Sequence, residues 1–446
     1  MKTVVSAALV VRAVACLAVV AELFLLVTTP AIAADPAKID WSKVSASTVT
    51  LFYPAQSTYQ WLRSSDHPGA KPVTAGEACV TCHKGQEAQK GNALVKAHKL
   101  EPTPIDGKNG AVQLGFQAAY DKENAYFRFQ WKTKNPYPGE AYPARRFDGK
   151  EWKPYGNQRL AAAVRKGEQP PIYEDRMSVM IDDGSVAGFA KQGCWLTCHN
   201  GLRDAPKQPA TAEVQANPLL KALKKNDVRK YLPSTRTDAL ASWDQGKSLD
   251  EIAKIKAAGG FLDLMQWRAH RSNPVGMADD GYVLEYRNFD AGKNPFSSNF
   301  DAKTNLPKFM YDSTKTAGKK ALALDDIRKM PTALVQGQNA VAFDPNAGWK
   351  AGDLLPQYLV SREGAAESAA DNKQVKGVWK DGTWTLVWAR PLNLTNADDK
   401  ALKEGKVYNF AFAAHDDNMT SRGHFVSFPV TVGFGAKADI QAVKLP

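Results

Sequence analysis

The stretch AVQLGFQAAYDKENAYFRFQWKT, residues 111–133, indicates the fold class of this chain. Apolar and polar residues alternate on both sides of the polar segment YDKEN, a pattern typical of a β-hairpin with one buried face. A second hairpin is predicted at GVWKDGTWTLVWARPL, residues 377–392, because Asp-Gly separates two alternating runs there. The two stretches predict a protein built mainly from antiparallel strands.

Other segments extend this pattern over most of the chain. Strand periodicity recurs in RMSVMIDD (176–183), DGYVLEYRNFD (280–290), VYNFAFAAHDDN (407–418) and HFVSFPVTVGFG (424–435). Helices are predicted over residues 218–232 and over SLDEIAKIKAAGG, 248–260, whose Gly pair suits a helix C-terminus. Residues 290–345 have the Asn, Lys, Pro and Gly content of a long insertion.

These elements predict a mainly β fold divided into two parts after a leader. A β-sandwich with helical insertions is predicted over residues 106–446, because strands recur with turn signals between them. A small segment rich in loops and short helices is predicted over residues 34–105.

The first 33 residues have the organisation of a secretory signal peptide. Lys2 and Arg12 supply positive charge, the apolar segment LFLLVTTP follows, and Ala31-Ile32-Ala33 is a small-x-small cleavage site. The alternative is an uncleaved membrane anchor, which Glu22 and the short apolar run disfavour. We therefore predict export to the periplasm, with membrane attachment only if the signal is not cleaved.

The net charge of +12 does not by itself indicate a nucleic-acid-binding protein. An exported protein rarely meets nucleic acid, and the lysines are scattered rather than interleaved with aromatic residues along a groove. The charge favours a solvated surface or attraction to an acidic partner.

The cysteines are the most informative residues of the sequence. Cys16 lies in the predicted signal, and the other four form two close pairs, each followed directly by a histidine. The first run, Cys79 to His83, is a C-x-x-C-H motif. This spacing allows two thioether bonds to a porphyrin while the adjacent imidazole reaches the iron, so it predicts covalent haem attachment. A redox-active thiol pair and half of a zinc site are the alternatives.

The second run, GCWLTCHN at residues 193–200, is one residue longer than that motif. Cys194, Cys198 and His199 are compatible with a second haem whose thioether loop contains one extra residue. A small Cys194–Cys198 disulfide and a zinc site made from both runs are the alternatives. With His83 as the first iron ligand and His199 as the second, two haem c groups are predicted.

A six-coordinate haem needs a second axial ligand, usually His or Met. His67 and His98 are the near candidates for the first haem. For the second haem the candidates are His270, His415, His424, Met177, Met180 and Met277. His424 opens an apolar strand, where an unpaired imidazole would be costly, and His415 next to two aspartates suits an orienting role.

The sequence gives little support for a hydrolase or for a calcium-binding protein. Neither a G-x-S-x-G nor an H-E-x-x-H motif is present. The acidic pairs Asp182-Asp183 and Asp279-Asp280 are typical of turns or solvated faces, with calcium binding as the alternative.

Several stretches together resemble a known family. YEDRMSVMID, GCWLTCHN, VRKYLPSTR, FLDLMQWRAHRSNPVGMADDG and HDDNMTSRGHFVSFPVTVG occur in the order of the haem-binding domain related to the gamma subunit of ethylbenzene and dimethyl sulfide dehydrogenases. HPGA, GEACVTCH and LEPTPIDGK resemble the small c-type haem segment that precedes this domain in exported bacterial cytochromes.

The resemblance implies a haem-holding β-sandwich that transfers electrons. It favours His67 over His98, and His424 over His415 or His270, as the distal ligands. Stand-alone gamma subunits hold haem b through Met and Lys, and Cys194, Cys198 and His199 depart from that pattern. Met and Lys are therefore not expected to be the iron ligands in this chain.

The sequence thus predicts an exported dihaem c-type cytochrome, an electron carrier rather than a catalyst. The expected partners are a quinol-oxidising membrane cytochrome and a periplasmic reductase or dehydrogenase. The alternatives are a haem enzyme with an open iron position, acting on a small nitrogen or sulfur compound, and a haem subunit of a molybdenum enzyme.

Overall fold

A computed structural model describes residues 35–133, 140–201, 208–365, 374–393, 396–420 and 423–446. The predicted signal peptide, residues 1–33, lies outside the described residues. Residues 33–446 group into one compact unit by their contacts. Among the described residues, no helix is long and apolar enough to cross a membrane.

Strands dominate the described residues. In chain order they are β1 (Ser47–Phe52), β2 (Ala111–Tyr120), β3 (Asn124–Lys132), β4 (Ala144–Phe147), β5 (Trp152–Tyr155), β6 (Arg176–Asp182), β7 (Leu262–Arg268), β8 (Gly281–Val283), β9 (Arg287–Phe289), β10 (Phe296–Ser298), β11 (Phe309–Tyr311), β12 (Leu334–Val335), β13 (Ala340–Ala342), β14 (Leu354–Pro356), β15 (Tyr358–Val360), β16 (Gln374–Lys380), β17 (Thr383–Pro391), β18 (Lys406–His415), β19 (Phe425–Val426), β20 (Val430–Phe434) and β21 (Ile440–Lys444).

The helices are short and lie mainly between strands. They are α1 (Tyr59–Leu62), α2 (Ala70–Thr74), α3 (Cys79–His83), α4 (Glu87–Lys96), α5 (Ala162–Arg165), α6 (Phe189–Gln192), α7 (Thr211–Ala216), α8 (Pro218–Ala222), α9 (Leu249–Ala257) and α10 (Leu324–Lys329), with 3₁₀ turns at Pro36–Lys38, Trp41–Lys43, Gly193–Thr197, Pro233–Thr235 and Asn273–Val275.

Both predicted hairpins are confirmed. β2 pairs antiparallel with β3 across the YDKEN turn, and β16 pairs antiparallel with β17. The second turn consists of Asp381 and Gly382, which both have positive φ (49° and 74°). This left-handed pair matches the twist of the flanking strands, and Asp-Gly is a favoured sequence for it.

The largest sheet of the described residues has 13 strands in the order β16-β17-β3-β2-β1-β19-β18-β6-β7-β8-β9, with β20 and β21 linking β18 to β2. Strands that are far apart in this order touch through their side chains. The rings of Phe116 on β2 and Phe412 on β18 are 4.8 Å apart, and those of Trp131 on β3 and Trp267 on β7 are 6.0 Å apart. The sheet therefore folds over itself and buries an aromatic core, which confirms the predicted mainly β, sandwich-like class.

Strand β1 is an element that sequence analysis missed. It lies between β2 and β19, with Ser47–Phe52 paired to Phe116–Ala111 and Phe52 also opposite Val426. The N-terminal segment thus supplies an interior strand of the large sheet. The division at residue 105 stays a prediction, and contacts join the two sides of it.

A second apolar cluster covers the outer face of the sheet near its centre. Phe52, Trp195 and Phe428 are mutually in ring contact, with centroids 5.1–5.3 Å apart. Leu62, Val73 and Cys79 belong to or pack against this cluster. Both cysteine-containing runs are therefore anchored on the same outer face.

The structure also contains counterparts of the helix predicted over 248–260 and of the predicted insertion. Helix α9 begins after Ser248, whose hydroxyl accepts from the backbone N–H of Glu251, and Gly259 with φ of 79° follows its end. The helix predicted over 218–232 is shorter, since α8 ends at Ala222. Within the insertion, residues of the short strands β11 and β12 pack into a separate apolar cluster together with residues of β4, β5 and β14.

Candidate functional site

The C-x-x-C-H run forms the short helix α3, Cys79–His83. Residues three and four apart share one helical face, so Cys79, Cys82 and His83 are presented together. Cys82 is exposed and Cys79 is half-buried, and both are free thiols. Burial raises the pKa of Cys79 to about 11.

The rings of His67 and His83 lie close to each other, with centroids 6.3 Å apart and planes inclined by 34°. Two imidazole nitrogens that each bind one metal ion at about 2 Å place their ring centroids roughly 6 Å apart. The centroid separation of His67 and His83 therefore matches that of two imidazoles bound to one metal ion. The structure brings together the two histidines that were predicted to ligate the first iron.

Each of these histidines uses Nδ1 for a hydrogen bond. Nδ1 of His67 donates to the carbonyl oxygen of Leu62 (2.9 Å), and Nδ1 of His83 donates to the side-chain oxygen of Gln86 (3.4 Å). This tautomer leaves the lone pair on Nε2, as metal-binding histidines require. Burial lowers the pKa of His83, which favours the neutral imidazole that a metal ion binds. The residues at the first run therefore fit a covalently held haem.

Gly69 of the HPGA segment explains how His67 reaches this position. A Cβ atom at residue 69 would lie 2.9 Å from Cε1 and 3.2 Å from Nε2 of His67. Only a glycine lets the backbone approach the ring so closely.

The second cysteine run forms the 3₁₀ turn Gly193–Thr197 and is buried. Cys194 is buried and Cys198 is half-buried, and both are free thiols. Burial raises the pKa of Cys194 to about 11. Gly193 has φ of 53°, and a Cβ there would lie 2.9 Å from Cδ of Pro429, so the turn is locked against the chain after β19.

His199 is fully buried, and both of its ring nitrogens have partners. Nε2 donates to the carbonyl oxygen of Tyr231 (3.1 Å), and Nδ1 accepts from the side-chain amide of Gln60 (3.0 Å). The ring also stacks on that of Tyr231 at 3.8 Å. Burial and the neighbouring Arg236 lower the pKa of His199 well below its usual value. Iron ligation by His199 would therefore require it to leave Tyr231.

His424, the predicted distal ligand of the second haem, stacks on His415 with ring centroids 5.0 Å apart and planes inclined by 16°. Both rings are buried at the junction of β18 and β19. The aspartates beside His415 bind elsewhere, because Asp416 accepts from Thr133 and Asp417 pairs with Lys108 at 3.8 Å. The predicted pair of His199 and His424 thus contacts two different partners, and its role as a ligand pair stays a prediction.

The alternative ligands lie in varied surroundings. His98 is exposed. His270 is buried, donates from Nδ1 to the carbonyl oxygen of Glu140 (2.7 Å) and stacks on Tyr142. Met177, Met180 and Met277 belong to three different apolar clusters, so all three are core residues.

Helix α1 connects the two cysteine runs, which the sequence did not reveal. Gln60 binds His199, and the carbonyl group of Leu62, two residues later, holds His67. The Tyr59 ring contacts that of His199 at a tilt of 39°, with centroids 5.1 Å apart, and the Arg63 guanidinium lies over the Tyr59 ring at 3.4 Å. Two residues correspond to about 3 Å of helix, so a histidine of each candidate centre is held by the same short helix.

Comparison with known proteins identifies the family of this chain. The model of the ethylbenzene dehydrogenase family matches residues 38–427. The chain belongs to the ethylbenzene dehydrogenase family. Cytochrome c-552 of Stutzerimonas stutzeri is 27% identical over 419 residues, which are 94% of each chain. Cytochrome c-551 of Rhodocyclus tenuis is 30% identical over 171 residues, which are 37% of the present chain and 58% of that relative.

Proposed function

We propose that this protein is an exported dihaem c-type cytochrome that transfers electrons in the periplasm. The proposal is supported above all by the close pair of His67 and His83, whose ring centroids are 6.3 Å apart, with two cysteines on the helical face that carries His83. Its similarity over nearly the whole chain to a protein named cytochrome c-552 supports the same class.

The residues have distinct roles in this proposal. Cys79 and Cys82 would hold the first porphyrin through thioether bonds, and His83 and His67 would hold its iron. Cys194, Cys198, His199 and His424 would hold the second haem. Haem supplies one-electron redox chemistry, and axial ligation by two histidines sets its potential below that of a His/Met site.

Helix α1 supports electron transfer between the two centres. It ties His67 and His199 to one rigid element through Leu62 and Gln60, so the distance between the centres is fixed. Fixed spacing suits a protein that passes electrons between a quinol-oxidising membrane cytochrome and a periplasmic reductase or dehydrogenase, which are the partners we propose.

Haem content tests the proposal directly. Intact mass and a pyridine haemochrome assay should show two covalent haems per chain in the exported protein. His67→Ala should convert one low-spin ferric haem to high spin, while His98→Ala, at an exposed histidine, should leave the spectrum unchanged. One haem, retained after joint replacement of Cys194 and Cys198 by alanine, would refute the second site. An unchanged spectrum in His67→Ala would refute the first ligand pair.

The surroundings of His199 favour a second candidate function. Because His199 stacks on Tyr231 and His424 stacks on His415, these two predicted ligands are not paired with each other as His67 and His83 are. An iron with one open position would bind a small nitrogen or sulfur compound. A high-spin signal in the purified protein that disappears on cyanide addition would support such an enzyme and contradict two bis-histidine haems.

A further inference from the structure

A row of buried basic side chains lies on the outer face of the large sheet. His415 on β18 pairs in register with Arg176 on β6, which in turn pairs in register with Arg268 on β7. Residues directly opposite each other on paired strands point to the same face of a sheet. The three residues, with exposed fractions of 6%, 7% and 4%, therefore stand side by side. His415 also stacks on His424, the predicted distal ligand of the second haem.

This face changes from apolar to cationic along the strands. Met180, Leu264 and Ala411 are also paired in register, and they belong to the apolar cluster that contains Cys194. Side chains alternate between the two faces of a strand, so residues four positions apart lie on the same face, about 13 Å from each other. From Met180 to Arg176, β6 thus leads from the apolar surroundings of the second cysteine run to the basic row.

Carboxylates balance the arginines of this row incompletely. Glu174 is shared by Arg176 (3.2 Å) and Arg271 (2.8 Å). Asp279 pairs with Nε of Arg268. Asp279 is 1% exposed, so it is not the solvated turn residue that its sequence pattern suggests. Two carboxylates thus pair with three buried guanidinium groups.

Arg287 brings a fourth guanidinium group to the row. Its Nη2 donates to the side-chain oxygen of Gln266 (3.2 Å), which lies two residues before Arg268 on the same face of β7. Among the described residues, Arg287 has no carboxylate partner. Burial, reinforced by the charge of Arg268, lowers the pKa of Arg287 to about 9. An anion beside Arg287 would relieve this repulsion.

Two buried side chains of the row also have unused hydrogen-bonding atoms. In the part of the chain that the structure describes, the side chain of Arg268 donates only through Nε, to Asp279. Nδ1 of His415 is buried and has no partner there either. Buried polar atoms without partners are costly, so these atoms require a ligand. The forked donors of a guanidinium group match the two oxygen atoms of a carboxylate.

We propose that Arg268 and Arg287 bind the propionate groups of the second haem. This inference rests on the proposed attachment of that haem through Cys194 and Cys198. The vinyl groups that form thioethers and the two propionates lie on opposite edges of a haem. A porphyrin attached within the apolar cluster therefore directs its carboxylates along this face towards the arginines.

Such ion pairs have two consequences for the second haem. They compensate the propionate charges, which would otherwise be costly to bury. The positive charge of the row also stabilises the ferrous form over the ferric form, because the ferrous iron carries one positive charge fewer. The row thus raises the potential of the second haem.

Spectropotentiometric titration of the holoprotein tests the proposal. Arg287→Gln removes one charge without leaving a carboxylate unpaired. It should lower the midpoint potential of one haem by about 59 mV, which is about a tenfold change in the ratio of its oxidised to its reduced form at a fixed potential. That haem should be the one lost from the Cys194→Ala/Cys198→Ala variant. Arg287→Lys, which keeps the charge, should restore most of the potential.

Arg146→Gln is the matched control, because it removes the same charge from an exposed arginine on β4. It should leave both potentials unchanged. An equal shift in Arg146→Gln and Arg287→Gln would show an effect of net charge and refute the assignment.

Haem counts separate this inference from the function on which it rests. Two covalent haems with unchanged potentials in Arg287→Gln would refute propionate binding by Arg287 and leave the dihaem cytochrome intact. One haem in the wild-type protein would refute the second site and, with it, the propionate assignment. The wild-type protein also distinguishes propionates from a free anion. If millimolar inorganic phosphate shifts the potential of the second haem in the wild-type protein, the arginines bind a free anion and the assignment is overturned.

Discussion

Gly69→Ala is the substitution that tests the first candidate centre most sharply. The backbone of residue 69 has φ of −87°, which alanine adopts without strain, so the change acts through its methyl group. That methyl group would lie 2.9 Å from Cε1 of His67, whereas carbon atoms pack at about 3.5–4.0 Å. The imidazole must therefore retreat by roughly half an ångström.

A retreat of this size is large compared with a metal–nitrogen bond of about 2 Å. Overpacking of this kind costs about 1–3 kcal/mol, which corresponds to a roughly 5- to 150-fold shift towards the state in which His67 is detached. We expect a mixture of low-spin and high-spin ferric haem, with the high-spin share rising on mild heating.

Electron paramagnetic resonance and absorption spectra of the ferric protein measure this share. Gly115→Ala is the matched control, because a Cβ on that β2 residue meets its nearest neighbours at an ordinary 3.7 Å. If Gly69→Ala and Gly115→Ala give the same spectra as the wild-type protein, then His67 does not ligate the iron in the position described.

Two further predictions concern the fold. Phe116→Ala removes a fully buried ring from the core between the two halves of the sheet, and it should lower the free energy of unfolding in urea by about 3–5 kcal/mol. Val378→Ala, at a side chain that is 48% exposed, should change the free energy of unfolding by less than about 0.5 kcal/mol. Comparable losses of stability in the two variants would contradict the assignment of the core. Glu174 is buried, and although burial opposes ionisation, Arg271 and Arg176 lower its pKa to about 2. Because the pKa is lowered on folding, the ionised carboxylate stabilises the protein above about pH 4. Glu174→Gln should therefore lower the free energy of unfolding by about 3–5 kcal/mol at pH 7. The difference in stability between this variant and the wild-type protein should shrink as the pH falls from about 4 towards 2. A difference that is independent of pH would refute this ion-pair account.

The hairpin strands and the cysteine runs could be predicted from local sequence patterns. Alternation around YDKEN and the Asp-Gly turn at 381–382 are short-range features, so both hairpins could be predicted without tertiary information. Strand β1 escaped prediction because its burial depends on β2 and β19, which lie far from it in sequence. Helix α8 is shorter than predicted because the chain turns just after it at Lys224, whose φ of 55° is left-handed.

The candidate centres differ in how far the sequence could predict them. Cys79, Cys82 and His83 share one helical turn, so their joint presentation follows from spacing alone. His67 could only be chosen by resemblance, and its placement close to His83 depends on the close approach at Gly69. Nothing local marks Tyr231 or Gln60 as partners of His199, because these contacts join residues 32 and 139 positions apart.

The sequence by itself determined the strand-rich class, the two thiol pairs and the histidine adjacent to each, because these depend on residues within a few positions of one another. Only the tertiary structure decided which histidines lie close together, that Arg176, Arg268 and His415 stand in one row, and that α1 joins the two runs. Such groups meet because a folded sheet brings distant segments together, and that closure depends on the packing of the whole chain rather than on any local pattern.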